Sequence, residues 1–240
     1  MPLADRLRQM TSSVLVGNPT AVPHAQPSMI LYDEHGPPTG RLLDLALAAV
    51  SAARTEDMRG ISARMPAPPR WPDIWPGEHY KLLAGIVRVM RPSVIVEIGT
   101  YQGLSALALA QNMPSGSQLH TFDVIAHDRI PGNVFQSGDF DGGRILPIVA
   151  DLTQDAVFEQ HRALMARADL IFVDAAKDGR MERTFLRQFE GVRFAGKPIV
   201  MFDDIRVWNM LGIWREVRRP KLDLTSFGHW SGTGLIDWMG

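Results

Sequence analysis

From residue 94 onward, short apolar runs alternate with stretches in which apolar residues recur at helical spacing. Runs of strand length stand at 94–98, 119–123, 145–149, 170–174 and 198–202. Helical spacing occupies 104–111, 154–166, 181–192 and 205–218. Buried strands that alternate with crossover helices form a parallel sheet with helices on both faces. The pattern therefore predicts an α/β, Rossmann-like, doubly wound fold.

The C-terminal end has a different pattern. Two apolar runs, 222–227 and 234–239, are separated by a short segment that contains Gly228 and Gly232. This separation suits a hairpin, in which neighbouring strands are antiparallel. We therefore expect a seven-stranded sheet that is mostly parallel, with its last strand antiparallel to the rest.

The N-terminal part is irregular. Residues 1 to about 40 mix Pro, Gly and polar residues without periodicity, which predicts a loosely structured arm. A helical pattern begins at Gly40, and the connector MPAPPRWPDIWPGEHY follows it, with prolines that exclude a long helix. Its tryptophans suggest that aromatic burial pins this connector, as a boundary or as a lid over a site. We divide the chain into an N-terminal helical and irregular extension, 1–76, and a main domain, 77–240.

Composition narrows the class of protein. The chain has 240 residues, 45% of them hydrophobic, which is enough for one substantial core. Its net charge is -1, so no global field attracts nucleic acid or an anionic membrane, and a small neutral partner is expected. Cysteine is absent, which excludes disulfides and thiolate metal ligands. The first residues lack the order of a signal peptide and no apolar stretch is long enough to span a membrane, so a cytoplasmic location is expected.

The first strand leads into a glycine turn that carries the earliest chemical signal. Gly99 and Gly103 permit a tight turn and a close approach of the backbone to a ligand. A dinucleotide fold has G-x-G-x-x-G for the pyrophosphate, whereas here a single G-x-x-x-G follows Glu97. A glutamate at this place disfavours a phosphate and favours a cationic ligand.

Acidic residues follow the next two strands. Asp123 ends the second strand, near the spacing at which an acid accepts hydrogen bonds from a ribose diol. Asp151 follows the third strand and suits contact with an adenine or a backbone amide. The alternative is that the glycines only form a turn, that these aspartates cap helices, and that Ser105 is a helix-start residue.

The set resembles the first motif of class I S-adenosylmethionine (SAM)-dependent methyltransferases, E/D-x-G-x-x-x-G, followed by an acid that holds the ribose. Glu97, Gly99 and Gly103 stand at the motif positions, and Asp123 stands at the position of the acid. The resemblance implies a SAM pocket formed by Glu97, Gly99, Thr100, Gly103, Ser105, Asp123, Asp151 and Asp174.

A second acidic group follows the fourth and fifth strands. Asp174 and Lys177 come after the fourth strand, and Asp203 and Asp204 come after the fifth. Three carboxylates at neighbouring strand ends would repel one another unless a cation lay among them. Oxygen ligands suit Mg²⁺, Mn²⁺ or Ca²⁺ rather than Zn²⁺. The alternative is that Asp203 or Asp204 caps the helix predicted at 205 and that Lys177 is a solvated charge.

This arrangement is similar to the metal-dependent O-methyltransferases, which include the catechol and caffeoyl-CoA enzymes and the bacterial enzymes that methylate sugars. The resemblance covers about 77–240 and implies that Asp174, Asp203 and Asp204 bind the metal. Lys177 stands where the catechol type has its catalytic lysine. The catechol and caffeoyl enzymes usually have Asp-Asn at the second position, whereas this chain has Asp-Asp, as the sugar-modifying relatives often do.

Several residues are candidates for proton transfer and acceptor binding. Lys177 is the first candidate for the general base, although it must be neutral to act, and His127 is the second. His79 and His229 are further candidates. Trp208, Trp230 and His229 lie near the metal motif and the terminal hairpin in sequence, and we expect them to line the acceptor site.

The sequence therefore favours a SAM- and divalent-metal-dependent O-methyltransferase that acts on a vicinal diol. A saccharide is favoured as acceptor because of the paired aspartates, with a mycobacterial-type methylmannose polysaccharide methyltransferase as one specific case. The alternatives are a catechol or phenolic O-methyltransferase, an NAD-dependent oxidoreductase, and a non-catalytic binding protein on the same fold. The expected partners are a small-molecule or oligosaccharide acceptor and a second copy of the chain, whose site the N-terminal part would close.

Overall fold

The computed structural model describes residues 37–240. The predicted arm over residues 1 to about 40 therefore lies almost entirely outside the described residues. Within them, the strands are β1 Val94–Ile98, β2 Gln118–Asp123, β3 Ile145–Val149, β4 Leu170–Val173, β5 Ile199–Asp203, β6 Lys221–Asp223 and β7 Thr233–Asp237. The α-helices are α1 Gly40–Ala53, α2 Arg59–Ser62, α3 Tyr80–Met90, α4 Leu104–Gln111, α5 Asp155–Met165, α6 Arg180–Glu190 and α7 Met210–Glu216.

The strands form one sheet in the order β3-β2-β1-β4-β5-β7-β6. The first five strands are parallel to one another, and β7 runs antiparallel to β5 and β6. The chain extends from β1 to β2 on one side and returns to β4 on the other, so the strand order reverses beside β1. Ligands bind at such a reversal, outside the carboxyl ends of the strands. The prediction of a seven-stranded sheet with an antiparallel last strand is confirmed.

The central strands lie in the core of this sheet. All described residues of β4 and β5 are buried, and their continuous apolar sequences are typical of strands covered on both faces. Ile95, Phe172 and Met201 are fully buried in one continuous hydrophobic core. A close-packed core holds the strand ends in fixed positions. The side chains that follow these strands therefore start from a rigid frame.

The helix predicted at 205–218 is shorter in the structure, because α7 begins only at Met210. Asp204 has a left-handed backbone with φ of 59°, which interrupts any helix there. The amide of Arg206 then donates to the carbonyl of Ser231 over 2.9 Å instead of to a helical acceptor. Neither Asp203 nor Asp204 is the N-cap of α7, since Asn209 takes that position.

The Pro- and Trp-rich connector is attached to the loop between β6 and β7. Gly77 donates to the carbonyl of Gly228 and accepts from the amide of Trp230. The indole nitrogen of Trp75 donates to the carbonyl of Phe227 over 2.8 Å. Trp71 is 40% exposed, so hydrogen bonds rather than the burial of both tryptophans hold this connector. In the described part of the chain, no helix has the length and apolar character needed to cross a membrane.

Candidate active site

A cavity of about 370 Å³ opens at the carboxyl ends of β1, β2 and β4. Its wall combines apolar contacts from the sheet and α6 with polar groups that the sequence singled out. Those polar and glycine positions are Gly99, Asp123, Asp151, Asp174 and Lys177. The structure thus brings the glycine turn together with the acids after three other strands, where the reversal of strand order predicts a ligand.

The two glycines of the turn are required by different neighbours. Gly99 has φ of 108°, and a Cβ there would lie under 3.0 Å from the carbonyl oxygen of Asp174. Gly103 has φ of 91°, and a Cβ there would lie 2.6 Å from the ring of Phe135. Gly99 lines the cavity, whereas Gly103 makes room for a protein side chain. The side chain of Thr100 is buried and hydrogen-bonds Thr121 over 2.6 Å.

Glu97 lies in the protein interior. Its side chain is fully buried and accepts a hydrogen bond of 2.5 Å from the hydroxyl of Thr121. Burial raises the pKa of Glu97 to about 8, although hydrogen bonds from Ser105 and Thr121 oppose this change. Glu97 and Ser105 are not among the residues that line the described cavity. Both residues flank the glycine turn in the chain. Their direct contact with a cofactor stays a prediction.

The two acids Asp123 and Asp151 of the cavity wall also stabilise their own loops. Asp123 accepts hydrogen bonds from the amides of Tyr101 and Ile125 at 2.9 and 3.1 Å. Asp151 accepts from the amide and hydroxyl of Thr153, which lowers its pKa. Both carboxylates line the cavity and keep further acceptor capacity. The geometry is therefore compatible with ligand binding in addition to loop stabilisation.

Three carboxylates gather beside this cavity. Single oxygen atoms of Asp174, Asp203 and Asp204 all lie within 4.8 Å of one another. β4 and β5 are adjacent parallel strands, which explains why residues that follow them converge. The Nζ of Lys177 bonds Asp174 and lies 3.0 Å from Asp204 Oδ2. The structure thus brings the predicted metal ligands and the predicted lysine together.

The charges of this acidic cluster are strongly coupled. Burial raises the pKa of Asp174, and the neighbouring Asp203 carboxylate raises it further. Burial alone would lower the pKa of Lys177, but Asp174 and Asp204 raise it well above its usual range. Lys177 is therefore held in its charged form, which is opposite to what a general base requires. Lys177 and Asp204 both have left-handed backbones, a conformation that concentrates at functional sites.

Two histidines flank the cluster on the side of Asp203. His229 Nδ1 lies 2.9 Å from Asp203 Oδ2, and its Nε2 lies 3.6 Å from Glu78 Oε2. His79 is buried, and its Nδ1 lies 3.4 Å from the same Asp203 oxygen. Burial alone would lower the pKa of His79, but the Asp203 carboxylate raises it to about 9. Burial raises the pKa of Asp203, but the two histidines more than offset this and hold it below its usual range.

The other sequence candidates lie farther from the cluster. His127 lines a neighbouring cavity of about 290 Å³ that shares Asp123 with the first, and its ring packs on Phe135 and Phe140. Trp208 is 79% exposed in the segment between β5 and α7. Trp230 is 70% exposed, with its ring centroid 5.7 Å from that of His229. The roles of these three residues stay predictions.

The structure adds contacts that sequence patterns did not reveal. Ser231 donates a hydrogen bond to Asp204. Glu78 Oε2 lies 3.6 Å from His229 Nε2. His79 was only one of several histidines in the sequence, and nothing local marked it as buried beside Asp203. The connector that ends in Glu-His-Tyr was the single available signal, since it was compatible with a lid over a site.

Part of the sheet domain is similar to known proteins. Residues 96–205 match the model of a family described as a methyltransferase domain. The matched segment runs from β1 through β5 and includes the glycine turn and all three clustered aspartates. The match makes this segment of the chain similar to a methyltransferase domain.

One curated protein is similar in sequence to this chain. The chain is 26% identical to catechol O-methyltransferase of Mus musculus over 129 residues, which are 53% of this chain and 48% of that protein. The chain therefore matches about half the length of this relative. These matches confirm the resemblance to class I methyltransferases of the catechol type.

Solved structures are similar as well. SAH-bound methyltransferase PaMTH1 of Podospora anserina has 19% identity and a TM-score of 0.49, with 99% of this chain and 97% of that chain covered. TomG of Streptomyces achromogenes, an O-methyltransferase involved in tomaymycin synthesis, has 15% identity and a TM-score of 0.49 in its complex with SAM, with 99% of each chain covered.

Proposed function

We propose that this protein is a SAM-dependent O-methyltransferase that uses a divalent cation and acts on a hydroxyl of a vicinal diol. One observation carries the proposal: Asp174 and Lys177 belong both to the wall of the cavity and to the acidic cluster. A cofactor in the cavity and an acceptor at the cluster would therefore meet at these two residues. Positioning of this kind supplies much of the rate of a group transfer.

The cavity residues suit a nucleoside cofactor without phosphates. Asp123 is placed to accept hydrogen bonds from a ribose diol, and Asp151 to accept one from a base or an amide. Gly99 lines the cavity without a Cβ, which allows a ligand to approach the turn closely. The carboxylates would repel a pyrophosphate and attract the sulfonium of SAM, which argues against the NAD-dependent alternative.

The acidic cluster fits a hard divalent cation such as Mg²⁺ or Mn²⁺. Its donors are all carboxylate oxygens, and Asp203 Oδ1 is buried without a hydrogen-bond partner among the described residues. Asp174, Asp203 and Asp204 would hold the ion. A bound divalent cation supplies Lewis acidity, which lowers the pKa of a coordinated hydroxyl.

The residues around the cluster would manage the proton of the acceptor hydroxyl. Lys177 borders the cavity and is our first candidate for the group that receives this proton. Its contacts with Asp174 and Asp204 keep Nζ charged, so Lys177 must leave these carboxylates before it can act as a base. His229 is the alternative, because its ring stands beside Asp203 and is partly exposed.

The acceptor class is argued from the paired aspartates and the exposed aromatic rings. Asp204, where the catechol type usually has Asn, favours a saccharide diol, and tryptophan faces such as that of Trp230 stack on sugar rings. A phenolic diol is the second candidate, and the similarity to mouse catechol O-methyltransferase favours it.

We further propose that the protein is a homodimer located in the cytoplasm. The exposed Leu43 and Leu47 on α1 support the dimer, and gel filtration of the full chain tests it.

The experiment is a pair of binding and transfer assays on the full chain. We expect SAH and SAM to bind at micromolar concentrations by calorimetry, and methyl transfer to a vicinal diol to require added Mg²⁺ and to be lost with EDTA. Asp203→Asn should lower Mg²⁺ affinity at least tenfold, because a ligand loses its charge. Asp44→Asn, on the exposed face of α1, is the matched control and should bind Mg²⁺ like the unmodified protein.

The outcomes separate the parts of the proposal. Absence of SAH and SAM binding would contradict the methyltransferase activity. Transfer that persists in EDTA would contradict only the use of a metal. Transfer of a labelled methyl group is then measured with a panel of monosaccharides and catechols. The acceptors that become labelled distinguish a saccharide from a phenolic acceptor.

A further inference from the structure

A second set of side chains that could hold a metal ion shares Asp203 with the acidic cluster. We propose that His79, Asp203 and His229 bind a transition-metal ion such as Co²⁺, Zn²⁺ or Fe²⁺ through two imidazole nitrogens and one carboxylate. Asp203 would be shared between this histidine site and the all-oxygen site of Asp174, Asp203 and Asp204. Only this sharing rests on the proposed function, since the histidine site is argued from its own geometry.

The distances match the edges of a coordination sphere. Ligand atoms about 2.1 Å from one ion, at angles between octahedral and tetrahedral, are roughly 2.9 to 3.4 Å apart. His229 Nδ1 lies 2.9 Å from Asp203 Oδ2, and His79 Nδ1 lies 3.4 Å from the same oxygen. One potential ligand atom from each of the three residues lies within 4.8 Å of the other two.

The hydrogen-bonding state of these residues leaves room for an ion. Neither ring nitrogen of His79 has a hydrogen-bond partner in the described part of the chain, although the residue is only 3% exposed. Buried polar groups are normally satisfied, and an exception calls for a partner such as an ion. Asp203 Oδ1 is likewise unpartnered, so the two oxygens of this carboxylate can serve two positions.

The surroundings of His229 are those of a metal-ligating histidine. Such a ring usually directs its second nitrogen towards a carboxylate or carbonyl, which fixes its orientation. His229 directs Nδ1 to Asp203 and Nε2 towards Glu78 Oε2, at 3.6 Å. The loop that carries His229 is tied to the connector before His79, because Gly77 exchanges hydrogen bonds with Gly228 and Trp230. The two imidazoles are thus held together by backbone pairing.

The donor atoms predict the selectivity of the two sites. Imidazole nitrogens suit Zn²⁺, Co²⁺ and Fe²⁺, whereas carboxylates and water suit Mg²⁺. The competing explanation is that both histidines only orient Asp203 for the all-oxygen site. In that case their removal would weaken Mg²⁺ binding as much as Co²⁺ binding.

The test is calorimetry of the metal-free full chain with Co²⁺ alone and with Mg²⁺ alone. We expect His79→Gln and His229→Gln each to weaken Co²⁺ binding at least tenfold and to leave Mg²⁺ affinity within twofold. Asp174→Asn should show the reverse pattern, because Asp174 belongs only to the all-oxygen set. His161→Gln is the matched control; its ring packs on Phe122, and Co²⁺ binding should stay unchanged.

Either of two results would overturn the inference: Co²⁺ affinity within twofold in both histidine variants, or equal losses for Co²⁺ and Mg²⁺. If a variant fails to fold, the unmodified protein with one equivalent of Co²⁺ gives a second measurement. Its X-ray absorption spectrum should contain imidazole scattering, and a shell of oxygen ligands alone would contradict the proposal. SAH binding is measured separately, so failure of the methyltransferase proposal does not alter the Co²⁺ result.

Discussion

At the scale of single residues, Gly99 connects the glycine turn after β1 with the end of β4. Its φ of 108° is a conformation that side chains rarely adopt, and the carbonyl of Asp174 occupies the space where a Cβ would lie. The same glycine lines the cavity. Fold and site therefore depend on one backbone contact.

Gly99→Ala should destabilise the protein by about 3 kcal/mol, from left-handed strain together with overpacking against backbone. Urea unfolding followed by circular dichroism measures the change. Gly116→Ala is the control, because Gly116 has φ of 81° but open space around it. It should cost about 1 to 2 kcal/mol from strain alone. Equal losses of unfolding free energy in the two variants would show that crowding against the Asp174 carbonyl does not contribute to the destabilisation.

Residue identity alone predicted part of the site. Apolar strands followed by Asp174 and by the Asp203-Asp204 pair indicated converging carboxylates, and the structure brings these side chains together. His79 carried no such signal, since its burial beside Asp203 depends on the path of the connector. Local sequence predicts where a strand ends, but not which distant loop lies above it.

At the scale of secondary-structure elements, the packing of α1 on α3 depends on a close approach at Gly85. A Cβ on Gly85 would lie 2.6 Å from the carbonyl oxygen of Ala49. Alanine has the higher helix propensity. Glycine at position 85 therefore lowers the helix propensity of α3 but allows the two helices to come into contact. The α1 segment therefore packs directly on α3.

Gly85→Ala should therefore destabilise the protein by about 1 to 3 kcal/mol through overpacking. Gly212→Ala in α7, where a Cβ meets nothing within 4 Å, should instead stabilise it by about 0.5 to 1 kcal/mol. Thermal unfolding of both variants checks the opposite signs. A stabilised Gly85→Ala variant would mean that α1 and α3 separate easily.

At the scale of the whole described molecule, Asp237 joins α1 to the last strand. Its carboxylate, at the end of β7, accepts hydrogen bonds from Thr39 over 2.7 Å and from Arg41 Nε over 3.1 Å. Burial alone would raise the pKa of Asp237, but these partners lower it overall. The start and the end of the described chain are thus held by one ion pair, in which Asp237 is buried and Arg41 is partly exposed.

Asp237→Asn should lower the free energy of unfolding at pH 7 by about 1 to 3 kcal/mol. A lowered folded-state pKa gives stability above the unfolded value of about 3.9, which is lost as pH falls through the folded value. The difference between the two proteins should therefore shrink below about pH 4. Urea unfolding at pH 7 and pH 3 measures it, and a constant difference would contradict the linkage.

The control for this variant is an exposed ion pair. Glu216 and Arg183 are each about half exposed, so Glu216→Gln should change stability by about 0.5 kcal/mol or less. If Glu216→Gln lost as much stability as Asp237→Asn, burial of the Asp237 carboxylate would not explain the contribution of that ion pair.

Apart from β6, which ends at Asp223 although the predicted run extends to 227, the sequence by itself determined the strand positions, the parallel direction of the strands with an antiparallel end, and the meeting of acids beside a glycine turn. These follow from local apolar periodicity and from one rule of topology, which brings the carboxyl ends of parallel strands to one edge. Only the tertiary structure decided where α7 begins, that Glu97 faces the core, and that His79 reaches Asp203. Those features depend on pairing between distant segments, such as Trp75 and Phe227, which are 152 residues apart. No local pattern encodes such contacts, because packing of the whole chain selects them.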